Sequence, residues 1–196
     1  MRELRAIDSP QAHALEFTIL TALRAGEGAG AQFNEITDRI YKVPASRLKR
    51  KSSPHEVPLS PQAITIIEAR RKVRSGPCVF VGRTGKATGR RSMLELLDRM
   101  NDAREVRGLP RWTDPNQGNA DITVHGFRST FRDWVADETD IQGEVAEAAL
   151  HHKNADKVEG SYQRSQLLKK RRTCMELWAN WCDGIAPPVK EEKSQL

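Results

Sequence analysis

Apolar positions recur every three or four residues along several stretches of the chain, the spacing of helices that bury one face. After Ser9-Pro10, a cap followed by a first-turn proline, Leu15, Ile19 and Leu23 share a stripe that Phe17 and Leu20 broaden. This predicts a helix reaching Arg24, where the glycines Gly26, Gly28 and Gly30 should end or loosen it. Ser60-Pro61 repeats the start signal ahead of Ile64 and Ile67, and that helix closes on the basic run Arg70, Arg71, Lys72 and Arg74, by default a solvated face. Met93, Leu96, Leu97 and Met100 mark a short amphipathic helix. From His125, Phe127, Phe131, Trp134 and Val135 face inward, while Arg128 and Arg132 fall on another face, free to meet a ligand. Val145, Ala148 and Ala149 begin a further short helix. Residues 165–182 form the terminal helix, striped by Leu167, Cys174, Leu177, Trp178 and Trp181 and collared by Lys169 to Arg172.

Between these helices the pattern shortens. Residues 39–43 and 56–59 read as two strands, joined by the polar, basic linker P-A-S-R-L-K-R-K-S-S-P-H, as in a hairpin. Residues 77–81 read as an edge strand, followed by a glycine-rich basic loop whose spacing fails the phosphate-cradling G-x-x-x-x-G-K-[ST] pattern. Residues 101–121, with Pro110, Pro115 and Gly118, read as a long surface loop and a candidate for mobility. The predicted class is mainly α with a small antiparallel β-sheet or hairpin. One domain spans 1–184, and 185–196 is a disordered tail.

Composition narrows the partners. With 38% hydrophobic and 30% charged residues and a net charge of +6, the chain favours an acidic partner, nucleic acid ahead of an anionic membrane. No apolar run has membrane-spanning length, and the first residues lack the apolar core of a signal peptide. Cys78, Cys174 and Cys182 are odd in number and lack ligand spacing, which points to reduced thiols in a cytosol. Asp156 and Glu159 lack an acidic partnership at metal-ligand spacing, so neither a metal nor a cofactor is expected.

Candidate chemistry concentrates in the C-terminal third. His125 and Arg128, three residues apart on a helix start, suit a phosphate, because free backbone N–H groups add to the attraction. His152 and Tyr162 supply a proton donor and a phenolic oxygen; His151 competes with its neighbour for the first role. A tyrosine, with an ordinary pKa of about 10, attacks phosphorus only if its proton is removed and the phosphate charge is neutralised.

The same residues carry a family resemblance. H-G-F-R-S-T-F-R-D-W (His125 to Trp134), E-V-A-E-A-A-L-x-H-K (Glu144 to Lys153), K-V-E-x-x-Y-x-R (Lys157 to Arg164) and K-K-R-R-x-x-M-x-x-W-A-x-W-C (Lys169 to Cys182) follow in order. Together they resemble the C-terminal half of phage-type integrases, members of the tyrosine recombinase family, especially those of prophages and genomic islands. Arg24-Ala25-Gly26-Glu27 stands as the R-x-G-E motif, and Gln32 to Ile36 resembles A-R-W-x-E-I with Phe33 in place of tryptophan. Gly28 stands where relatives place a larger apolar residue, and His151 where A-L-A-H-K has a small one.

The resemblance implies a mechanism for double-stranded DNA without metal or cofactor. Tyr162 attacks the phosphodiester, Arg24 and Arg128 hold the non-bridging oxygens, and Glu27 supports them. His125 acts as general acid/base, and His152 hydrogen-bonds the phosphate. A hairpin lysine, Lys49 with Lys51 as runner-up, protonates the leaving oxygen. Arg47, Arg50, Lys51, Arg132, Lys153 and Arg164 are candidate DNA contacts. The implied assembly is a homo-tetramer on DNA attachment sites and a monomer or weak oligomer when free, in the cytoplasm at the bacterial nucleoid, with no membrane and no small-molecule substrate. The likeness covers residues 9–183, the catalytic part only, so the core-binding and arm-binding domains of such integrases are expected to be absent. Two competing readings are an inactive DNA-binding remnant, motivated by Gly28 and His151, and an enzyme resembling type IB topoisomerases.

Overall fold

α2 (Pro10–Leu20) is the helix around which the others pack, and its sequence explains why. It is buried nearly all round, with Ala14, Leu15, Phe17, Ile19 and Leu20 in the core beside Thr18 and Glu16. A helix apolar on every side belongs in an interior. In this computed structural model residues 1–48, 53–82, 85–152 and 161–187 are described, with the backbone alone for 161–166. Ser9 caps α2 by accepting from the Ala12 N–H at 3.1 Å, and Ser60 caps α4 (Pro61–Lys72) through Ala63 at 3.3 Å, as the two Ser-Pro signals predict. Around α2 lie α1 (Arg2–Arg5), α3 (Ala25–Ala29), α4, α5 (Arg90–Val106) and α8 (Ser161–Cys182). Trp178 of α8 donates its indole N–H to the Ile19 carbonyl at 2.8 Å. Its ring meets Phe131 edge-on at 5.4 Å and stacks on Trp181 at 5.1 Å. This joins α8 and α6 (Gly126–Glu138) to the core helix.

The small sheet is antiparallel in the order β1 (Ile36–Thr37), β2 (Ile40–Val43), β3 (His55–Pro58), with Tyr41 opposite Val57 and Val43 opposite His55. The mainly α class with a small antiparallel sheet is therefore the observed one. Among the described residues no helix is long and apolar enough to cross a membrane.

Several expectations change. α2 stops at Leu20 rather than near Arg24, and a separate short helix, α3, forms through the glycines expected to break it. Gly28 is there because α3 lies hard against α2: a Cβ on it would stand 2.3 Å from the Thr18 hydroxyl oxygen. The larger residue of relatives has no room in this chain. The helix centred on Met93 to Met100 runs from Arg90 to Val106, and α8 begins at Ser161, four residues before the predicted start. Residues 101–121 are no loose loop. The buried Asn101 amide brackets the Trp112 backbone (3.2 and 2.9 Å), and Arg111 pairs with Asp102, Glu105 and Asp121. β4 (Thr113–Asp114) and β5 (Ala120–Asp121) form a second hairpin within it. Residues 77–81 hold only isolated bridges, Gln32 to Cys78 and Val81 to Ala87. Arg71 and Arg74 of the basic run sit over the Phe33 ring, at 5.8 and 5.0 Å. Of the predicted tail, residues 188–196 lie outside the described residues.

Candidate active site

Two helix ends of one design meet at a single buried arginine. α2 closes with Ala22 in the left-handed region (φ 49°), Ala22 N–H reaching Ile19 O at 3.1 Å and Leu23 N–H reaching Thr18 O at 3.3 Å. α7 (Gly143–Ala149) closes with His151 at φ 52°, His151 N–H reaching Ala148 O at 3.2 Å and His152 N–H reaching Glu147 O at 3.0 Å. Both are Schellman closures, whose left-handed position ordinarily belongs to glycine. Neither carries one, so the stop signal is absent from the sequence. Arg128, one turn into α6, lies between them at 5% exposure. One terminal nitrogen donates to the Ala22 carbonyl and the other to Leu150 O at 2.8 Å. Carbonyls at helix C-termini carry partial negative charge and complement a guanidinium. Arg24 and His152 each follow two residues after the carbonyl that Arg128 holds. One residue thus sets the places of two others.

Arg128, on the face that the sequence marks as free to meet a ligand, is therefore buried with both terminal nitrogens on backbone carbonyls. Burial above all, then the charge of Arg24, brings its guanidinium down to about 10, with Glu27 opposing. His125, exposed at the N-cap of α6, is held below the ordinary imidazole range by partial burial first, then by the charges of Arg128, Arg24, Arg90 and His152. Arg24, Arg128, His125 and His152 thus share one electropositive patch.

The patch has two carboxylates behind it. Glu27, fully buried, takes the Arg24 guanidinium at 3.1 Å and the Arg24 N–H at 3.2 Å. The Glu27 carbonyl accepts the Tyr41 hydroxyl at 2.7 Å, and Tyr41 receives Arg47 at 3.1 Å. Arg47 also bonds Glu35 and the Gly30 carbonyl. Its guanidinium is spent inside the protein, tying the hairpin to α3, where the sequence marked it as a DNA contact. Burial drives the Tyr41 phenol well above its ordinary range, so Tyr41 serves as a structural hydroxyl.

Glu147 is the second carboxylate. One oxygen meets His152 Nδ1 at 2.7 Å and the other takes the exposed Arg132 Nε at 2.8 Å. Burial pushes this carboxyl up, but the bonds from His152 and Arg132 outweigh it and leave it below its ordinary value. His55, on β3, is the other residue the sequence reading passed over. It is buried, its Nε2 lies 3.1 Å from Ala149 O, and its ring stacks on His151 at 4.6 Å. Glu147 precedes His152 by five residues, which falls outside helical i, i+3 and i, i+4 pairing, and His55 is remote in sequence. Only the helix closure brings them in.

The Tyr162 backbone lies in the first turn of α8, and its side chain is outside the described residues, as is that of Arg164. Lys49, Arg50, Lys51 and Lys153 are also outside them. Among the described residues no group of His, Cys, Asp or Glu is placed to hold a metal ion. Two fixed guanidiniums with forked donors and two imidazoles are suited to the oxygens of a phosphate.

A model of the phage integrase family matches residues 2–168. The chain is 30% identical over 165 residues to the prophage integrase IntA of Escherichia coli (strain K12), covering 83% of this chain and 36% of that protein. It is 29% identical over 175 residues to the integrase of Shigella phage Sf6, covering 83% and 39%. The chain thus spans well under half the length of these curated relatives. Among solved structures, a lambda integrase dimer bound to a COC' core site superposes with a TM-score of 0.56 at 17% identity, over 85% of this chain and 44% of that one. XerH recombinase bound to its difH substrate gives 0.54 at 14% identity, over 84% and 49%. At these identities the superpositions establish the fold alone.

Proposed function

The chain belongs to the phage integrase family, and from that premise we propose that it is the DNA-cleaving and rejoining unit of a site-specific tyrosine recombinase. The observation that supports this most is the convergence of Arg24, Arg128, His125 and His152 on one patch, held by the two Arg128–carbonyl bonds. In the proposed reaction a phosphodiester occupies that patch. The Tyr162 oxygen loses its proton, with His125 as the neutral base, and attacks phosphorus. The bond to the 5′-oxygen breaks, Lys49 or Lys51 protonates that oxygen, and a 3′-phosphotyrosine link remains. Arg24 and Arg128 balance the charge that develops on the non-bridging oxygens, which in comparable oxyanion sites is worth about 2.7–4 kcal/mol per donor. The covalent link stores the bond energy, so a 5′-hydroxyl from a second duplex rejoins the strand without a nucleotide cofactor.

The proposed partner is double-stranded DNA carrying attachment sites, met by residues 1–184 in the cytoplasm at the nucleoid. Arg50, Lys51, Arg132, Lys153 and Arg164 are the candidate contacts. A lambda integrase tetramer has been solved on a Holliday junction, and a homo-tetramer on DNA is the proposed assembly here. The remnant reading rests on Gly28 and His151. Each has a packing reason in this chain, the approach of Thr18 and the stack on His55, so neither speaks for decay.

The test is covalent trapping. The chain is incubated with nicked duplexes carrying a pool of candidate core sites, and a denaturing gel reads the protein–DNA adduct. The expected result is an adduct that Tyr162→Phe abolishes while DNA binding stays near normal. An adduct that survives in Tyr162→Phe, or DNA bound without any adduct on the cognate site, would overturn the proposal.

A further inference from the structure

We propose that Glu147 is a positioning residue that assigns the proton on His152, so that His152 donates to a phosphate oxygen only as an imidazolium. This deepens the recombinase reading and rests on it for the phosphate. The geometry itself stands independently. Glu147 holds His152 twice, by its carbonyl on the His152 N–H at 3.0 Å and by its carboxylate on Nδ1 at 2.7 Å. Arg132 donates to the other carboxylate oxygen at 2.8 Å, which favours the same orientation of the carboxylate. An ionised carboxylate only accepts hydrogen bonds, and the carboxyl of Glu147 is held ionised below its ordinary range. Nδ1 therefore carries a proton.

A neutral imidazole has one N–H. With it on Nδ1, Nε2 presents a lone pair, which repels a phosphate oxygen. A second proton is needed before Nε2 donates. The charged or titratable groups around this pair are His125 at the start of α6, Arg132 on α6 and His151 beside it on the chain. Arg132 has the further effect of tempering Glu147.

Glu147→Gln separates this from a structural role. The amide oxygen keeps Arg132, while the amide nitrogen donates to Nδ1. The single proton of a neutral ring then moves to Nε2, and the neutral ring becomes a donor. Nitrogen-15 NMR of the labelled imidazole reads the assignment directly in the 196-residue chain. The expected result is an Nδ1–H neutral ring in the native protein and an Nε2–H neutral ring in Glu147→Gln. An Nε2–H neutral ring in the native protein, or no change in the variant, overturns the proposal.

The rate of adduct formation with the nicked duplexes is the second readout. Past its midpoint the native rate should fall about tenfold per pH unit on the alkaline side, as one required proton leaves. In Glu147→Gln that limb should disappear. A slower variant with an unchanged pH profile would reduce Glu147 to a scaffold and also overturn the proposal. Absence of any adduct with the native chain counts against the recombinase reading, while the NMR result still decides the proton assignment.

Discussion

The closures of α2 and α7 share a backbone motif and are stabilised in different ways. At α2, Ala22 and Leu23 are buried and the chain passes at once into α3, where Glu27 fixes Arg24 and Tyr41 fixes Glu27. At α7, His151 and His152 are half-exposed and held by side chains, the His55 ring and the Glu147 carboxylate. The first end delivers a guanidinium, whose charge is fixed and which needs only rigidity. The second delivers an imidazole, whose task depends on protons, and it is held by groups that themselves titrate. The proposed phosphate site thus joins a permanent cation set by packing to a proton carrier set by electrostatics.

The largest expected effect lies at the α2 end. By helix propensity Gly28→Ala should gain up to about 1 kcal/mol. The Thr18 contact reverses the sign, because a Cβ 2.3 Å from the hydroxyl forces α3 off α2, a loss of about 1–3 kcal/mol. Urea unfolding of Gly28→Ala, with and without Thr18→Ala, measures it, and the second change should return part of the loss. A stabilised Gly28→Ala would show that α3 is not packed as described.

At the α7 end the handle is pH. His55 is held well below the ordinary 6.5, by burial first and then by the charges of Arg171 and His151. The unfolded chain takes up a proton near pH 6.5, while the folded chain resists until far lower. The unfolded state then binds more protons, and stability falls as pH drops below about 6.5, by up to about 1.4 kcal/mol per unit for one group. His55→Gln, which keeps a donor for Ala149, should flatten the curve between pH 7 and 5, as read by thermal unfolding. An unchanged slope would remove His55 as its source.

The smallest effect compares the ends directly. Ala22→Gly relieves a left-handed alanine and should gain roughly 0.5–1 kcal/mol. His151→Gly relieves the same backbone strain but gives up the ring stack, worth about 0.5–1.5 kcal/mol, so its net change should be near zero. Equal gains at both positions would mean that the His55 stack contributes nothing.

What the sequence disclosed follows from where signals are local. Ser9-Pro10 and Ser60-Pro61 announced helix starts because a capping hydroxyl and a first-turn proline act within one turn. The hairpin from Ile40 to Pro58 and the stripe through Trp178 were legible as periodicity. The closures at Ala22 and His151 were not, because the residue that normally marks them is missing. The burial of Arg128 was not legible, because a helical wheel records angle and not what lies beyond. Two carbonyls from residues 106 and 22 positions away turn that face into an interior. Gly28 and Asn101 read as breaker and loop polarity because their partners, Thr18 and Trp112, are set by tertiary approach.

The central claim is that Arg128 holds both helix ends at once. Amide hydrogen exchange in Arg128→Lys tests it most directly, since an ammonium has charge but no fork to span two carbonyls. The account predicts that exchange at Leu23 and at His152 accelerates together, with the remainder of α2 and α7 unchanged. Loss of protection at one end with full retention at the other would contradict it.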